Sequence, residues 1–164
     1  MGASTDFGAM RCSIARSFAV MGDPWKALLV RDLHVGLSRF DQLAADLGVS
    51  RKVLTQRLAD LVDDGIVDRV PYQDRPKRYD YVLTEQGRDL VPIILAVLAW
   101  GDRWLAGEAG PPAITYHCGH PIEAAVVCTR CGEPVNAAEV SAGPGPGGGP
   151  GPGTHLIGQH LMSD

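Results

Sequence analysis

Residues 38–61 constrain the fold of this chain more than any other stretch. The run SRFDQLAADLGVSRKVLTQRLADL holds two short amphipathic segments on either side of Gly48. Ser38, with Asp41 three residues later, predicts the start of a first helix, because such side chains accept hydrogen bonds from the N–H groups of a first turn. Gly48 predicts its end, since glycine readily takes the left-handed conformation of helix C-termini. The stretch therefore predicts two helices joined by a tight turn.

The second of these helices is predicted to begin at Ser50, which can cap it. Leu54, Leu58 and Leu61 follow at helical spacing and predict one buried face. The opposite face is polar and partly basic, and it carries Arg51, Lys52, Thr55 and Gln56. Amphipathic helix pairs occur in many all-α domains, but a basic outer face on the second helix favours a helix-turn-helix that binds DNA. Neutralising phosphates supplies much of the affinity of such a helix.

The distribution of charge limits where DNA could bind. The net charge is −4, which argues against a positive field over the whole molecule. Residues 1–104 hold 14 basic and 14 acidic side chains, whereas residues 105–164 hold one basic and five acidic. Any DNA binding must then depend on a local basic patch in the first 104 residues.

Two helices are predicted before the helix-turn-helix. The first covers residues 11–21, where apolar side chains recur at helical spacing. The second begins at Asp23 and Pro24, because aspartate caps a helix and proline is tolerated in its first turn. Its apolar side chains are predicted to form the core beneath the motif, and they are Trp25, Leu28, Leu29 and Leu33.

A β-hairpin is predicted after the motif. Residues 66–72 and 78–83 are β-prone runs, and the five residues between them include aspartate and proline, which favour turns. The tip of the hairpin gathers the basic side chains Arg75, Lys77 and Arg78. Beside a helix-turn-helix these charges indicate a wing that contacts DNA, while a solvated turn is the simpler alternative.

A long helix is predicted from about residue 84 to 105, with a kink at Pro92. Beyond the kink it is apolar on most sides, which demands more cover than one small domain provides. A second copy of the chain is the simplest cover. A homodimer would place two recognition helices about one duplex turn apart, as a palindromic operator requires.

The chain resembles the HxlR-type winged helix-turn-helix regulators, which are relatives of the MarR group. The resemblance runs over residues 11–105 and rests on GDPWKALLVRDL, RFDQLAADLGVSRKVLTQRLADLVDDGIVDR and YDYVLTEQGRDLVPIILAVLAWG. It implies a dimeric bacterial DNA-binding regulator without enzymatic activity. The DNA-facing positions that it implies are Ser50, Arg51, Lys52, Thr55, Gln56, Arg75, Lys77 and Arg78.

Cys12 lies where members of that group commonly have a cysteine, just before the first helix. In some relatives this thiol senses oxidants, quinones or aldehydes, so the resemblance implies a possible redox sensor at Cys12. The usual cysteine-proline pair is here Cys12-Ser13, which departs from the pattern. A small packing residue is the alternative, since free cysteines are often buried.

A second cluster of cysteines and histidines follows the long helix. Cys128 and Cys131, with a glycine after them, have the spacing of a zinc knuckle. Cys118 and His120 are predicted to complete four ligands for a structural zinc ion, with His117 as the alternative to His120. A segment this small cannot bury enough apolar surface to fold without a metal ion that links its turns. A disulfide, a redox pair and a knuckle without metal are the competing interpretations.

These signals predict an α+β fold, mainly α. It combines a winged helix-turn-helix, a long C-terminal dimerisation helix and a small zinc-ribbon-like appendage. The predicted divisions are a flexible N-terminus (1–10), the DNA-binding and dimerisation domain (11–105), a linker (106–114), the zinc-ribbon-like segment (115–140) and a disordered Gly/Pro-rich tail (141–164).

Three functions are compatible with the sequence. The first is a cytoplasmic transcriptional regulator that acts on double-stranded DNA, since no secretory signal or membrane-spanning run is visible. The second is a thiol- or zinc-responsive sensor whose DNA binding is controlled through Cys12 or the C-terminal cysteines. The third is a winged helix used for protein contacts without DNA. Neither the operator nor the sign of regulation follows from the sequence.

Overall fold

The computed structural model describes residues 6–143, 145–147 and 151–157. The other residues of the predicted N-terminal segment and Gly/Pro-rich tail lie outside the described residues. Within the described part, four α-helices come first: α1 (Ser13–Met21), α2 (Pro24–His34), α3 (Phe40–Leu47) and α4 (Arg51–Asp63). An antiparallel hairpin follows, formed by β1 (Val67–Asp74) and β2 (Lys77–Leu83), and then come α5 (Glu85–Asp89) and α6 (Val91–Leu105).

An extension follows α6. It contains the short antiparallel pair β3 (Tyr116–His117) and β4 (His120–Pro121). Single 3-10 turns lie at Phe7–Ala9, Gly107–Ala109 and Ala137–Glu139. No described helix is long and apolar enough to cross a lipid bilayer.

Most helix ends form as predicted. The carboxylate of Asp23 accepts a hydrogen bond from the N–H of Trp25 at 2.9 Å and so caps α2. The hydroxyl of Ser50 accepts one from Val53 at 3.3 Å and caps α4. Gly48 ends α3 with φ 61°, the left-handed conformation that favours glycine. The helix-turn-helix therefore has the boundaries that its local signals specify.

The start of α3 differs from the prediction. The helix begins at Phe40, and Ser38 does not cap it. The Ser38 hydroxyl instead donates a hydrogen bond to the carboxylate of Asp80 at 2.9 Å, and its carbonyl accepts one from the N–H of Tyr81 at 2.8 Å. The hydrogen bonds of Ser38 are thus made with strand β2 rather than with the first turn of α3.

One hydrophobic core lies beneath the helix-turn-helix. Its buried apolar residues are Leu29, Val30, Leu33, Leu43, Leu54, Leu58, Leu61, Ile66 and Val67. The three leucines predicted for the inner face of α4 are all in this core. Trp25 and Leu28, also predicted for the core, are only half-buried and lie outside it. The reason is that the buried side of α2 begins at Lys26, and neither Trp25 nor Leu28 lies on it. Lys26 is held there by Asp64, whose Oδ2 atom lies 2.9 Å from the Lys26 Nζ atom.

The predicted single helix over residues 84–105 is two helices that meet at Leu90. Pro92 has no N–H to donate to the carbonyl of Arg88, and its ring would clash with that carbonyl in a continuous helix. The N–H of Leu90 bonds instead to Gly87, at 3.2 Å, and α6 then starts with Pro92 in its first turn, where proline is tolerated. The break therefore precedes the proline rather than falling at it.

Candidate nucleic-acid interface

The outer face of α4 is presented to solvent because its inner face is fixed in the core. Leu54 and Leu58 are each 1% exposed, which sets the rotation of the helix. Lys52 and Thr55 lie on the opposite side and are exposed. Ser50 is also exposed, with its hydroxyl engaged in capping the helix. Several of the predicted DNA-facing side chains of this helix are therefore accessible.

A concave surface joins the start of α4 to the hairpin, and we call it the basic groove. It has a volume of about 480 Å³ and carries four cationic side chains against one carboxylate, that of Asp41. The cationic residues that line it are Arg39, Arg51, Lys77 and Arg78. Arg51, Lys77 and Arg78 were predicted to face DNA, and the structure brings them together from helix α4 and strand β2.

The hairpin is held against α3 by contacts at residues 38 and 39. Arg39 and Asp80 form an antiparallel bridge, and the Arg39 Nε atom lies 3.7 Å from Asp80 Oδ1. The guanidinium of Arg39 also stacks over the Tyr72 ring, 4.9 Å from its centroid. These contacts join β1 and β2 to the segment before α3, and they fix the direction of the hairpin relative to the motif.

The tip of the hairpin is exposed and basic. Asp74 pairs with Lys77 across the end of the ladder, and Arg75 lies in the turn between them. The Lys77 Nζ atom lies 5.9 Å from the centre of the Tyr79 ring, and the Arg69 guanidinium lies 5.3 Å from it. Cations stacked on an aromatic ring keep their charge at the surface with fewer accessible rotamers.

Besides Ser50, which caps α4, two more of the predicted DNA-contacting side chains are already engaged within the protein. Arg51 Nη1 lies 2.8 Å from Asp41 Oδ1, and its guanidinium lies 4.6 Å from the centre of the Phe40 ring. The hydrogen bond and charge of Arg51 lower the pKa of Asp41 below its ordinary value. Gln56 donates a hydrogen bond to Asp60 at 2.8 Å. Both side chains must exchange these partners if they are to contact DNA.

Arg57 adds to the positive charge of α4, but its side chain is paired within the protein. Its Nε atom lies 2.7 Å from Asp23 Oδ2 and its Nη1 atom lies 3.4 Å from Asp60 Oδ2. The side chain is only 30% exposed. Arg57 therefore ties α4 to the start of α2. A count of basic residues along the sequence cannot distinguish this role from DNA binding.

Sequence reasoning missed Arg39 and Tyr72 as residues of the groove. Arg39 directly precedes α3 and lies before an aromatic residue, Phe40, but its partner Tyr72 is distant in the sequence. The only local signal is a basic residue at a helix start, which is a weak one. Their proximity results from the pairing of the hairpin with residues 38 and 39.

The predicted zinc ligands occupy two separate turns of the extension. Cys118, with φ 50°, and Gly119 form the turn between β3 and β4, which also carries His117 and His120. Cys128 and Cys131 flank the second turn, in which the N–H of Gly132 donates to the Cys128 carbonyl at 2.7 Å. All four described cysteines are free thiols. Within the described residues, no three histidine, cysteine or acidic side chains converge closely enough to hold a metal ion.

Backbone N–H groups surround the sulfur of Cys128. Hydrogen bonds from the backbone at Cys131 and Arg130, together with the Cys131 side chain, lower the pKa of the Cys128 thiol. Cys12 lies far from this region in the sequence, as the residue that precedes α1, and it is half-buried. The structure therefore places the candidate redox residue and the candidate metal ligands on different elements.

An apolar stripe on α6 faces solvent. It follows helical spacing and consists of Ile93, Val97, Trp100 and Trp104, each at least 50% exposed. On α1, Ile14 and Phe18 are also more than 60% exposed. An apolar groove of about 380 Å³ runs between α1 and the start of α6, so the two surfaces are adjacent. So much exposed apolar area is typical of a surface that is covered by another molecule.

Comparisons with known proteins agree with this architecture. The sequence model of the HxlR-like helix-turn-helix family matches residues 20–109. An HTH-type transcriptional regulator of Mycobacterium tuberculosis is 42% identical over 135 residues, which are 81% of this chain and 85% of that protein. The solved structure of the transcription factor PA1607 has a TM-score of 0.73 at 30% identity and covers 84% of this chain and 98% of its own. The redox regulator HypR in its reduced form has a TM-score of 0.53 at 33% identity, covering 56% of this chain and 92% of its own. These likenesses confirm the predicted α+β winged helix-turn-helix fold.

Proposed function

The chain belongs to the HxlR-like helix-turn-helix family of transcriptional regulators, and we propose that it binds a specific double-stranded operator as a homodimer in the cytoplasm. The basic groove carries this proposal, because it joins the start of α4 to the wing in one concave, cationic surface. A phosphodiester backbone in this groove would direct α4 into the neighbouring major groove and the hairpin tip against the same duplex. We propose no catalytic role.

The proposed contacts divide into two kinds. On the exposed outer face of α4, Lys52 would contact a phosphate beside the major groove and Thr55 would reach base edges within it. Ser50 lies at the start of that helix, where N–H groups favour a phosphate. The wing residues Arg75, Lys77 and Arg78 would contact the backbone and fix register. Arg51 and Gln56 would join after exchanging Asp41 and Asp60 for DNA.

The test compares two cationic residues of the same helix. Lys52→Ala should weaken binding to the DNA upstream of this protein's own gene. Because a dimer loses two phosphate contacts, the slope of log K against log salt should become shallower by about 1.8. Arg57→Ala is the matched control, since Arg57 is occupied by Asp23 and Asp60, and its slope should stay that of the parent. Binding can be measured by fluorescence anisotropy at several salt concentrations.

Two outcomes would contradict this assignment. If log K falls with log salt at the same slope in the parent and in Lys52→Ala, Lys52 does not contact DNA phosphates. Absent or salt-independent DNA binding by the parent would support the alternative of a winged helix that contacts only protein.

The homodimer is proposed from the exposed apolar surfaces of α1 and α6. The stripe of α6 from Ile93 to Trp104 would bury four apolar side chains, and the guanidinium of Arg103 lies at its edge, 5.2 Å from the Trp104 ring. A two-fold contact through these helices would be self-complementary, as symmetric dimer interfaces are. It would also present two copies of α4 to one duplex.

A matched pair of valines tests the dimer. Val97 on α6 and Val126 in the extension are both 62% exposed. Val97→Asp should shift the protein from dimer to monomer in sedimentation velocity, because it places a charge inside the apolar contact. Val126→Asp should leave the dimer intact. Dissociation by both variants, or by neither, would contradict an interface on α6.

We also propose that the extension binds one structural zinc ion through Cys118, His120, Cys128 and Cys131. None of residues 106–143 is buried, so the described extension has no core to stabilise it. Thiolate and imidazole are the donors that zinc prefers, and both candidate turns contain positive-φ glycines that suit tight knuckles. Since the two turns do not converge, the ion would draw them together as it binds.

Elemental analysis of the purified protein tests the zinc proposal. We expect about one zinc per chain, lost in Cys131→Ser and retained in Cys12→Ser. Parent protein without zinc, or Cys131→Ser that retains it, would show that the extension is not a zinc site.

A thiol-controlled regulator is the second candidate function. It is favoured by the likeness to the redox regulator HypR and by the position of Cys12 at the start of α1, next to the proposed dimer surface. An oxidant such as diamide should then change operator affinity by about tenfold or more, and Cys12→Ser should abolish the change. An unchanged operator affinity under oxidant would contradict the thiol sensor and would not affect the proposal of DNA binding.

A further inference from the structure

The described end of the chain lies across the start of α1. The N–H of Arg11 donates a hydrogen bond to the carbonyl oxygen of Pro152 at 3.3 Å. The N–H of Thr154 donates to the carbonyl of Gly151 at 2.9 Å, so the chain turns at the point of contact. Residues 151–153, which belong to the tail predicted to be disordered, thus have defined contacts with residues 10–12.

Two glycines permit this close approach. A Cβ atom at Gly153 would lie 3.2 Å from Met10 Sδ and 3.3 Å from the Cβ of Cys12, and the φ angle of Gly153 is 84°. A Cβ atom at Gly151 would lie 3.1 Å from the Cδ of Arg11. A larger residue at Gly153 would be strained in its backbone and crowded by its neighbours. Glycine at these positions therefore has a packing role that composition alone does not reveal.

Cys12 lies beneath this contact. It immediately precedes α1, and its side chain makes no capping hydrogen bond. Cys12 is half-buried, and a Cβ atom at Gly153 would lie 3.3 Å from its Cβ atom. Residues 151–153 therefore lie directly beside the side chain of Cys12. By contrast, Cys118 in the extension is exposed.

We infer that residues 151–153 form a strap that lies against residues 10–12 and restricts the access of reagents to the Cys12 thiol. The strap follows the extension in the chain, and α1 contributes to the exposed apolar surface described above. The strap thus connects the position of the C-terminal region to the exposure of a thiol beside that surface. This inference concerns access alone, and it holds whether or not the protein binds DNA.

Alkylation by iodoacetamide tests the strap in the full-length chain. The sulfur forms a bond to the CH2 carbon of the reagent, iodide leaves, and the thiol proton passes to solvent. Peptide mass spectrometry gives the rate at Cys12 as a ratio to the rate of the same thiol in the chain unfolded by guanidinium chloride. Gly153→Val should raise this ratio by about threefold or more, because a covered thiol becomes accessible. Gly147→Val is the matched control, since no atom lies within 4 Å of a Cβ at Gly147, and its ratio should equal that of the parent.

Gly151→Val provides an independent variant, because it disturbs the contact with Arg11 rather than that with Cys12. It should also raise the ratio. None of these glycines lies in the hydrophobic core, so the three variants should have the same Tm as the parent when unfolding is followed by circular dichroism. If Gly153→Val and Gly151→Val both leave the ratio unchanged, or if Gly147→Val raises it equally, the strap does not cover Cys12.

Discussion

Replacing Gly87 with alanine should destabilise the protein strongly, because α5 packs directly on the backbone of the residue that precedes the hairpin. A Cβ atom at Gly87 would lie 2.2 Å from the carbonyl oxygen of Ile66 and 3.2 Å from Leu83 Cδ2. The first distance is more than about 1 Å shorter than a normal contact between such atoms. Because the obstacle is backbone, it cannot be relieved by rotating a side chain. The helix must move away from the hairpin.

The expected loss follows from two opposed effects. Overpacking of a tight site costs about 1–3 kcal/mol, and a clash with backbone belongs at the upper end. Alanine in place of a helical glycine returns about 0.5–1 kcal/mol. The free energy of unfolding should therefore fall by about 2 kcal/mol, which corresponds to a decrease in Tm of about 8–16 °C for a domain of this size.

Urea unfolding at one fixed protein concentration measures this change. Gly143→Ala is the control, because Gly143 lies outside the helices with no atom within 4 Å of a Cβ and no left-handed φ angle, so its unfolding midpoint should equal that of the parent. An unfolding midpoint for Gly87→Ala at or above that of the parent would refute the packing of α5 described here.

Three further changes test individual interactions. Burial raises the pKa of Asp32 above its ordinary value of 3.8, so the folded state holds the proton more tightly. The contribution of Asp32 to the free energy of unfolding should fall as pH rises from that value through the raised pKa, and Asp32→Asn should remove this decline in urea titrations from about pH 4 to 7. Arg57→Ala should lower the free energy of unfolding by about 1 kcal/mol and leave the DNA affinity of the folded protein unchanged. Weaker DNA binding by a fully folded variant would argue against a purely structural role for Arg57. Thr84→Ala removes the hydroxyl that accepts from the N–H of Gly87 at 3.1 Å, and it should cost about 1 kcal/mol by calorimetry; an unchanged Tm would show that this cap contributes nothing.

The helix-turn-helix could be predicted because its signals are local. Ser50, Gly48 and the leucines of α4 act within one or two turns of their own positions, and each does in the structure what its spacing indicates. The hairpin was predictable for the same reason, although its strands extend further toward the tip than the sequence suggests.

The misplaced features depend on partners that are distant in the chain. Ser38 has the chemistry of a cap, but Asp80 lies 42 residues away and takes its hydroxyl. The break at Leu90 is an exception, since it follows from Pro92 alone and from the steric demand of its ring on the preceding turn. The basic groove belongs with the distant cases, because its cations come from three elements.

The pair of Arg51 and Asp41 gives the groove an internal competitor for DNA. Asp41 occupies the guanidinium as a phosphate oxygen would, at 2.8 Å, while both side chains stay more than 70% exposed. In the proposed complex, a duplex would have to displace this carboxylate before it could use Arg51, so any sequence would gain less from the surface than its number of cations suggests. Because the carboxylate would penalise every duplex alike, it would lower the affinity for all sequences and leave the base contacts of α4 to decide which duplex stays bound.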